Sequence, residues 1–269
     1  MTRRMLHELS SPASSTALGE TSILVLPVGA IEGHGPHLPL STDALIAEAA
    51  ASAAVIRSSG EGVDVWQLPT LSITKSDEHA WASGTLWLEP ETMLRTIGDI
   101  GRSVMATPAR TLVFVNGHGG NMAILAVALR DLRRRFGLRT FLLPAPNISL
   151  PTGAIGLPDE LGMGIHGGFV ETSLVMHLRP DLVDASRFAR SVPEELAPFR
   201  HLGFAGRPVS FGWLSDDFGG SGVIGDPTGA SAAAGAGLFQ SWVEFAAEAL
   251  DEITRFPIPV RRPGPSTAP

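Results

Sequence analysis

Ile23-Leu-Val-Leu-Pro-Val28 runs through Gly29-Ala30 into Ile31-Glu32-Gly33-His34-Gly35-Pro36-His37-Leu38-Pro39-Leu40-Ser41-Thr42-Asp43. The first piece, with Ser22 ahead of it, is a short continuous apolar run, the pattern of a strand buried on both faces. Beyond the second piece, the alanine-rich segment Ala44 to Arg57 is helical by propensity. Thr42 or Asp43 can cap it, and Ser58-Ser59-Gly60 is its stop signal. Strand, loop and helix in this order suit a parallel α/β sheet, where loops leaving the carboxyl ends of strands converge on the ligand-binding crevice. Two carboxylates and two imidazoles in such a loop read as half of a metal site.

The pattern repeats along the chain. Val63 to Leu68 reads as a second strand, and Pro69 to Leu88 as a loop rich in functional side chains. Pro90 opens a helix that ends near Thr107-Pro108, with Glu91 favourable in its first turn. Thr111 to Val115 is a third strand, which runs into Asn116-Gly117-His118-Gly119-Gly120-Asn121. Met122 to Phe136 is an amphipathic helix closed by Gly137, and Arg139 to Leu143 is a fourth strand. Alternation at this spacing predicts α/β architecture with βαβ units and a mainly parallel central sheet. Beyond Pro144 the pattern loosens into Gly and Pro, then resumes at Ile165-His166-Gly167-Gly168-Phe169-Val170-Glu171-Thr172-Ser173, which opens a short helix ending near Arg179-Pro180. Val209 to Leu214 is strand-like, Gly222 to Thr228 is a turn cluster, and Ala230 to Phe256 is a long closing helix. Residues 1–20 are expected to be flexible, 21–256 to form one domain, and the Pro-rich stretch 257–269 to be a loose tail.

Composition narrows the function. Of 269 residues 17% are charged and 44% apolar, which suits a folded globular chain. A net charge of -7 with no compensating basic block argues against nucleic acid as a partner. No run approaches the ~20 apolar residues of a membrane span, and Arg3-Arg4 is not followed by a signal-peptide core, so a cytoplasmic protein is expected. There is no cysteine, so any metal must sit on nitrogen and oxygen ligands.

Glu32, His34 and Asp43 share one loop, and His118 occupies the corresponding place after another strand. Loops after different strands of a parallel sheet lie side by side, so these residues can meet. Such a set suits Zn, Mn or Fe, with Asp43 the candidate bridge between two ions. Taken alone, Asp43 could be only a helix cap. The glycines around His118 strip away neighbouring bulk so that something can approach it. His166 and Glu171 form a further cluster; Glu171 could equally serve the helix dipole and His166 be a loop residue. His37 is read as a residue behind the ligands, and His7, His177 and His201 as structural or surface groups. Ser76 lacks the strained Gly-x-Ser-x-Gly turn of a serine nucleophile and is read as a substrate contact. Asp77, Glu78, His79, Trp81, Trp213, Asp216 and Asp217 are expected to line the pocket or a subunit boundary.

Leu26 to Asp43, Asn116 to Asn121, His166 to Ser173 and Gly222 to Thr228 together resemble, in order, the motifs of the creatininase family of metal-dependent amidohydrolases. The resemblance runs from about Ile23 to Phe256. It implies a single three-layer α/β/α domain, a hexamer, and hydrolysis of an amide C–N bond in a small, often cyclic or formylated, substrate on a centre of two divalent ions. By motif position, one ion takes Glu32 and His118, the other His34, and Asp43 bridges. The resemblance also implies substrate contacts at Ser76, His79 and Gly119, and a proton donor to the departing nitrogen in His166. In the namesake enzyme a Glu stands where this chain has Gly120, so the second ion needs a replacement, for which Glu171 is the candidate; the other role open to Glu171 is a catalytic one, orienting His166. Gly162-Met163-Gly164-Ile165 stands where the namesake has a Trp and acidic residues, which argues against creatinine as substrate. Alternatives within the same scaffold are a metallopeptidase of the mycofactocin-maturation type, trimming a peptide C-terminus, and a non-catalytic metal- or ligand-binding protein.

Overall fold

The computed structural model describes residues 4–149, 159–204 and 207–260. Its centre is a four-stranded, wholly parallel sheet of β1 (Ile23–Val28), β2 (Val65–Gln67), β3 (Thr111–Asn116) and β4 (Arg139–Pro144), in the order β2-β1-β3-β4. The helices are α1 (Ser11–Ala17), α2 (Thr42–Gly60), α3 (Pro90–Met105), α4 (Met122–Phe136), α5 (Phe169–Leu178) and α6 (Ala232–Arg255). This is the α/β, three-layer arrangement expected from the sequence.

Alternation along each strand divides the core. Ile23, Val25, Val113 and Val115 point to one face and pack on Ile46, Ala50 and Ala54 of α2, Leu174 of α5 and Trp242 and Leu250 of α6. Leu24, Leu26, Leu112 and Phe114 point to the other and pack on Met93 and Ile97 of α3 and Leu125 and Leu132 of α4. The alanines of α2 are buried because a small face lets the helix lie close to the sheet. Gly29 makes the same closeness possible at the strand end, where a Cβ would sit 2.4 Å from the Ala44 Cα.

The crevice position follows from this layering. α2 leaves β1 on one face, whereas α3 and α4, on either side of β3 in sequence, cover the other. The carboxyl ends of β1 and β3 are level, with Val28 beside Asn116. Their loops therefore diverge at a topological switch point, and the space between them is where ligands bind in open α/β sheets.

Several boundaries differ from expectation. The helix expected over Ala44–Arg57 begins at Thr42 and continues through Ser58-Ser59 to Gly60, so Asp43 lies inside its first turn, and the N-cap position is Ser41, whose side chain makes no capping bond. Ahead of β1, the segment read as flexible contains α1 and buries Met5 and Leu18, with Met5 bridged to Gln67. Val209 to Leu214 is not a strand: Val209 makes one bridge, to Leu202. Its alternation has another cause, since Phe211 and Trp213 both pack on Phe204, with ring centroids 5.6 and 5.5 Å away. Ile224, in the turn cluster, exchanges backbone hydrogen bonds with His166 at 2.8 and 3.1 Å. The Pro263-Gly264-Pro265 part of the tail lies outside the described residues. No helix of the described residues is long and apolar enough to cross a membrane.

Trp242 ties the long closing helix to the sheet, being fully buried with its Nε1–H donated to the Pro144 carbonyl at 2.8 Å. Trp242→Ala should lower stability by about 3–5 kcal/mol, the scale of losing a large buried aromatic. Urea unfolding checks this, and a loss below about 1 kcal/mol would mean that α6 is not anchored there.

Candidate metal centre

The β1 loop, the first turn of α2, the β3 loop, and the segment leading into α5 with its first turn bring Glu32, His34, Asp43, His118, His166 and Glu171 together, all buried. Asp43 is in the middle. Its Oδ1 lies 3.1 Å from His34 Nε2 and its Oδ2 lies 2.9 Å from His118 Nδ1. Glu32 Oε2 is 3.2 Å from the same His118 nitrogen, and Glu171 Oε2 is 3.8 Å from His34 Nε2. Ligand atoms thus gather in two groups that share Asp43: Glu32-Asp43-His118 and His34-Asp43-Glu171. A third combination, Glu32-His34-His166, overlaps both.

The supports are specific. Ser76 Oγ donates to Glu32 Oε2, and His34 Nδ1 sits 3.2 Å from the Glu32 carbonyl. Asn116 accepts from the His118 backbone N–H, while Asn121 Nδ2 reaches the Gly29 carbonyl, Thr74 and Asn116, joining the loops after β1, β2 and β3. Glu171 Oε2 accepts the Gly167 N–H at 2.6 Å. Asp43 and Glu171 each occupy the first turn of a helix, where the dipole favours negative charge.

Three carboxylates are buried here, and no Lys or Arg among the described residues pairs with Glu32, Asp43 or Glu171. The imidazoles carry the balancing charge. Burial alone would depress the His34 pKa, but Asp43, then Glu171 and Glu32, override it and raise it to about 10. His118 is likewise raised well above its ordinary value, burial being outweighed by Glu32 and Asp43. Burial would lift Asp43, yet the same two rings hold it far below the usual carboxylate range. Burial raises Glu171 to about 7, with His34 opposing and Asp43 assisting. Glu32 Oε1 is buried without a hydrogen-bond partner. A buried N/O donor set with an orphaned carboxylate oxygen, its carboxylates balanced by protons that a cation can replace, fits divalent cations.

A cavity of about 460 Å³ opens onto this cluster. His79 and Gly119, expected to contact substrate, line it. Ser76 does not: it is fully buried, and its hydroxyl is committed to Glu32. Of the other acidic and aromatic residues singled out, Glu78 and Trp213 line the cavity. Trp81 donates to Ser215, and Asp77 and Asp217 pair with Lys75 and the Leu214 N–H. His37 is buried behind the cluster against Thr172, 3.0 Å away, whereas His7, His177 and His201 are exposed. Asn147, not singled out in the sequence, lies 3.2 Å from Glu171 Oε1 and 2.6 Å from the Gly117 carbonyl. Its position just past β4, at the functional end of a strand, was the available signal.

Residues 7–250 match the sequence profile of the family described as Creatininase: Creatinine amidohydrolase. The chain belongs to the creatininase family. It is 34% identical over 249 residues to the mycofactocin precursor peptide peptidase of Mycobacterium tuberculosis (strain CDC 1551 / Oshkosh), covering 89% of each chain. It is 33% identical over 198 residues to the creatinine amidohydrolase of Pseudomonas putida, covering 66% of this chain and 72% of the other. The solved structure "Creatininase Mn" superposes with a TM-score of 0.73 at 27% identity, covering 96% of this chain and 100% of that one. The chain is therefore a hydrolase of a metal-dependent family.

Because His34 holds a proton up to about pH 10 in the cation-free protein, a cation must displace that proton to bind. Affinity for Zn or Mn should rise about tenfold per pH unit for each proton displaced, from about pH 6 to about pH 8. Calorimetric titration in buffers of different ionisation enthalpy measures both quantities. Affinity flat across that window would contradict the assignment of the balancing charge to imidazole protons.

Proposed function

We propose that the chain hydrolyses an amide C–N bond of a small amide, using a water held between the two ligand groups that share Asp43. The division of Asp43 between His34 and His118 carries this reading. Bound there, a pair of divalent ions (Zn, Mn or Fe) would supply an acidified water and a Lewis acid for the substrate carbonyl. Glu32 and His118 would hold one, His34 and Glu171 the other, with Asp43 common to both. Glu171 thereby takes the ligand role left open at Gly120. Its contacts are with His34, Asn147 and Gly167, which supports ligation over orientation of His166.

His166 serves as the proton carrier. Its Nε2 sits 2.8 Å from the Gly33 carbonyl, which accepts the Nε2–H and leaves the Nδ1 lone pair facing the site, 3.7 Å from Glu32 Oε1. Burial, aided by the neighbouring His34 charge, holds its pKa near 3, so the ring rests neutral. In that tautomer it takes a proton at Nδ1 from the attacking water and then returns it to the departing nitrogen. Donation to the leaving group, the role expected from the sequence, becomes the second of two transfers. His79, whose ring lies 4.2 Å from His166, shares the cavity wall and is assigned to the substrate.

The cavity also has an apolar lining: Met122, Ile148, Phe204, Phe211 and Trp213. Arg207 also lines the cavity and has no carboxylate partner among the described residues, its guanidinium bonding the Arg200 carbonyl at 3.2 Å. That favours a second reading of the substrate, a peptide with a free C-terminal carboxylate. The extent of similarity to the mycofactocin precursor peptide peptidase supports it as well.

Asp43→Asn and His118→Ala should each lower kcat/KM by about a hundredfold to a thousandfold or more, as expected for groups that serve the transition state. A panel of cyclic amides, formamides, short peptides and the same peptides amidated at the C-terminus separates the substrates. Cleavage of free but not amidated peptides selects the peptidase reading. Full metal loading with no hydrolysis of any member overturns both.

A further inference from the structure

Glu78 is a buried carboxylate that takes no part in the two ligand groups. Its Oε1 lies 3.4 Å from His118 Nε2, the ring nitrogen turned away from Asp43. Its Oε2 is clamped by Lys75 Nζ at 2.6 Å. His118 Nε2 is itself buried and makes no hydrogen bond among the described residues, so the Glu78 carboxylate oxygen, within ion-pair distance, is the acceptor placed nearest to it.

The chemistry of a metal-binding imidazole makes this placement informative. His118 presents Nδ1 to Glu32 and Asp43, at 3.2 and 2.9 Å. To bind a cation through Nδ1 the ring must be neutral, with its remaining proton on Nε2. A buried N–H without an acceptor is costly, and ligating histidines regularly donate that hydrogen to a carboxylate, which fixes the tautomer and raises ligand basicity. Glu78 is the carboxylate facing it.

Gly120 is what leaves room for Glu78. A Cβ there would fall 1.9 Å from Glu78 Oε1 and 2.5 Å from His118 Nε2. A side chain at position 120 would push the carboxylate out of this place, so the glycine and the Glu78 position form one unit. Glu78 is no substitute ligand: it joins none of the candidate ligand groups, and the Lys75 ammonium already occupies one of its oxygens.

Resting on the metal-centre reading above, we infer that Glu78 is the positioning residue for His118, accepting its Nε2–H so that Nδ1 is free to bind the ion shared with Glu32 and Asp43. Lys75 fixes the carboxylate, and Gly120 supplies the space.

The test is ion binding itself, by chelator competition on purified full-length protein with zinc. Wild-type protein should bind in two steps. In Glu78→Ala the affinity of one step should fall about 10- to 100-fold and the other stay within about threefold. Glu78→Gln, whose amide oxygen can still accept, should keep most of the affinity, and Gly120→Ala should weaken the same step as Glu78→Ala. In long-range proton–nitrogen NMR of the zinc-loaded protein, the His118 Nε2–H resonance should move upfield in Glu78→Ala and stay near its wild-type place in Glu78→Gln. Lys75 keeps Asp77 at 3.0 Å, so Glu78→Ala is not left with a bare cation, and an unchanged thermal midpoint of the zinc-free protein verifies that it folds. Two-step binding with wild-type affinities in Glu78→Ala overturns the inference and leaves the metal centre standing. Equal losses in Glu78→Ala and Glu78→Gln overturn it in favour of direct ligation. No zinc binding by the wild type overturns the metal centre, and the inference with it.

Discussion

Burying Glu32, Asp43 and Glu171 side by side, with no Lys or Arg among the described residues to pair with them, is the constraint on which the site rests. Ionised carboxylates removed from water are costly unless positive charge is close. In the cation-free protein that charge comes from protons on His34 and His118, whose pKa values the carboxylates hold high against the opposing effect of burial. Each such proton occupies the place of a metal bond. The helix ends contribute in the same sense, since the first turns of α2 and α5 aim their positive ends at the cluster.

The sheet makes that concentration of charge possible. Level carboxyl ends of β1 and β3, with helices departing to opposite faces, leave a crevice that residues from separate loops can enter without crowding each other's backbone. Small residues supply the remaining space: the alanine face of α2 brings Asp43 over the sheet, and Gly120 leaves a void that the Glu78 carboxylate fills. Phe204, Phe211, Trp213 and Phe218 form a cluster with Met163 and Ile224, and the first three of these aromatics also line the cavity. Fold and site are therefore consequences of the same packing.

Much of this was legible in the sequence. Strands buried on both faces are continuous apolar runs, and their positions held within about two residues, the usual uncertainty at element ends. Glu32, His34, Asp43 and His118 lie close to strand ends in motifs stripped of bulk, which is why their convergence could be anticipated. Residues whose meaning depends on distant partners were not legible. Nothing local shows that Ser76 serves Glu32, 44 positions away, or that Asn147 reaches Glu171. The alternation in Val209 to Leu214 imitates a strand because anchoring two aromatics on one ring has the same period as a pleat. The exchange between Gly120 and Glu78 is a volume relation, and volume is invisible along a string of letters.

Anomalous diffraction from crystals grown with excess Zn or Mn, recorded on both sides of the metal edge, tests the central claim most directly. Two peaks are expected astride Asp43, one touching Glu32 and His118 and the other His34 and Glu171. A map with no peak in the cluster, and Asp43 still hydrogen-bonded to both imidazoles, would contradict it.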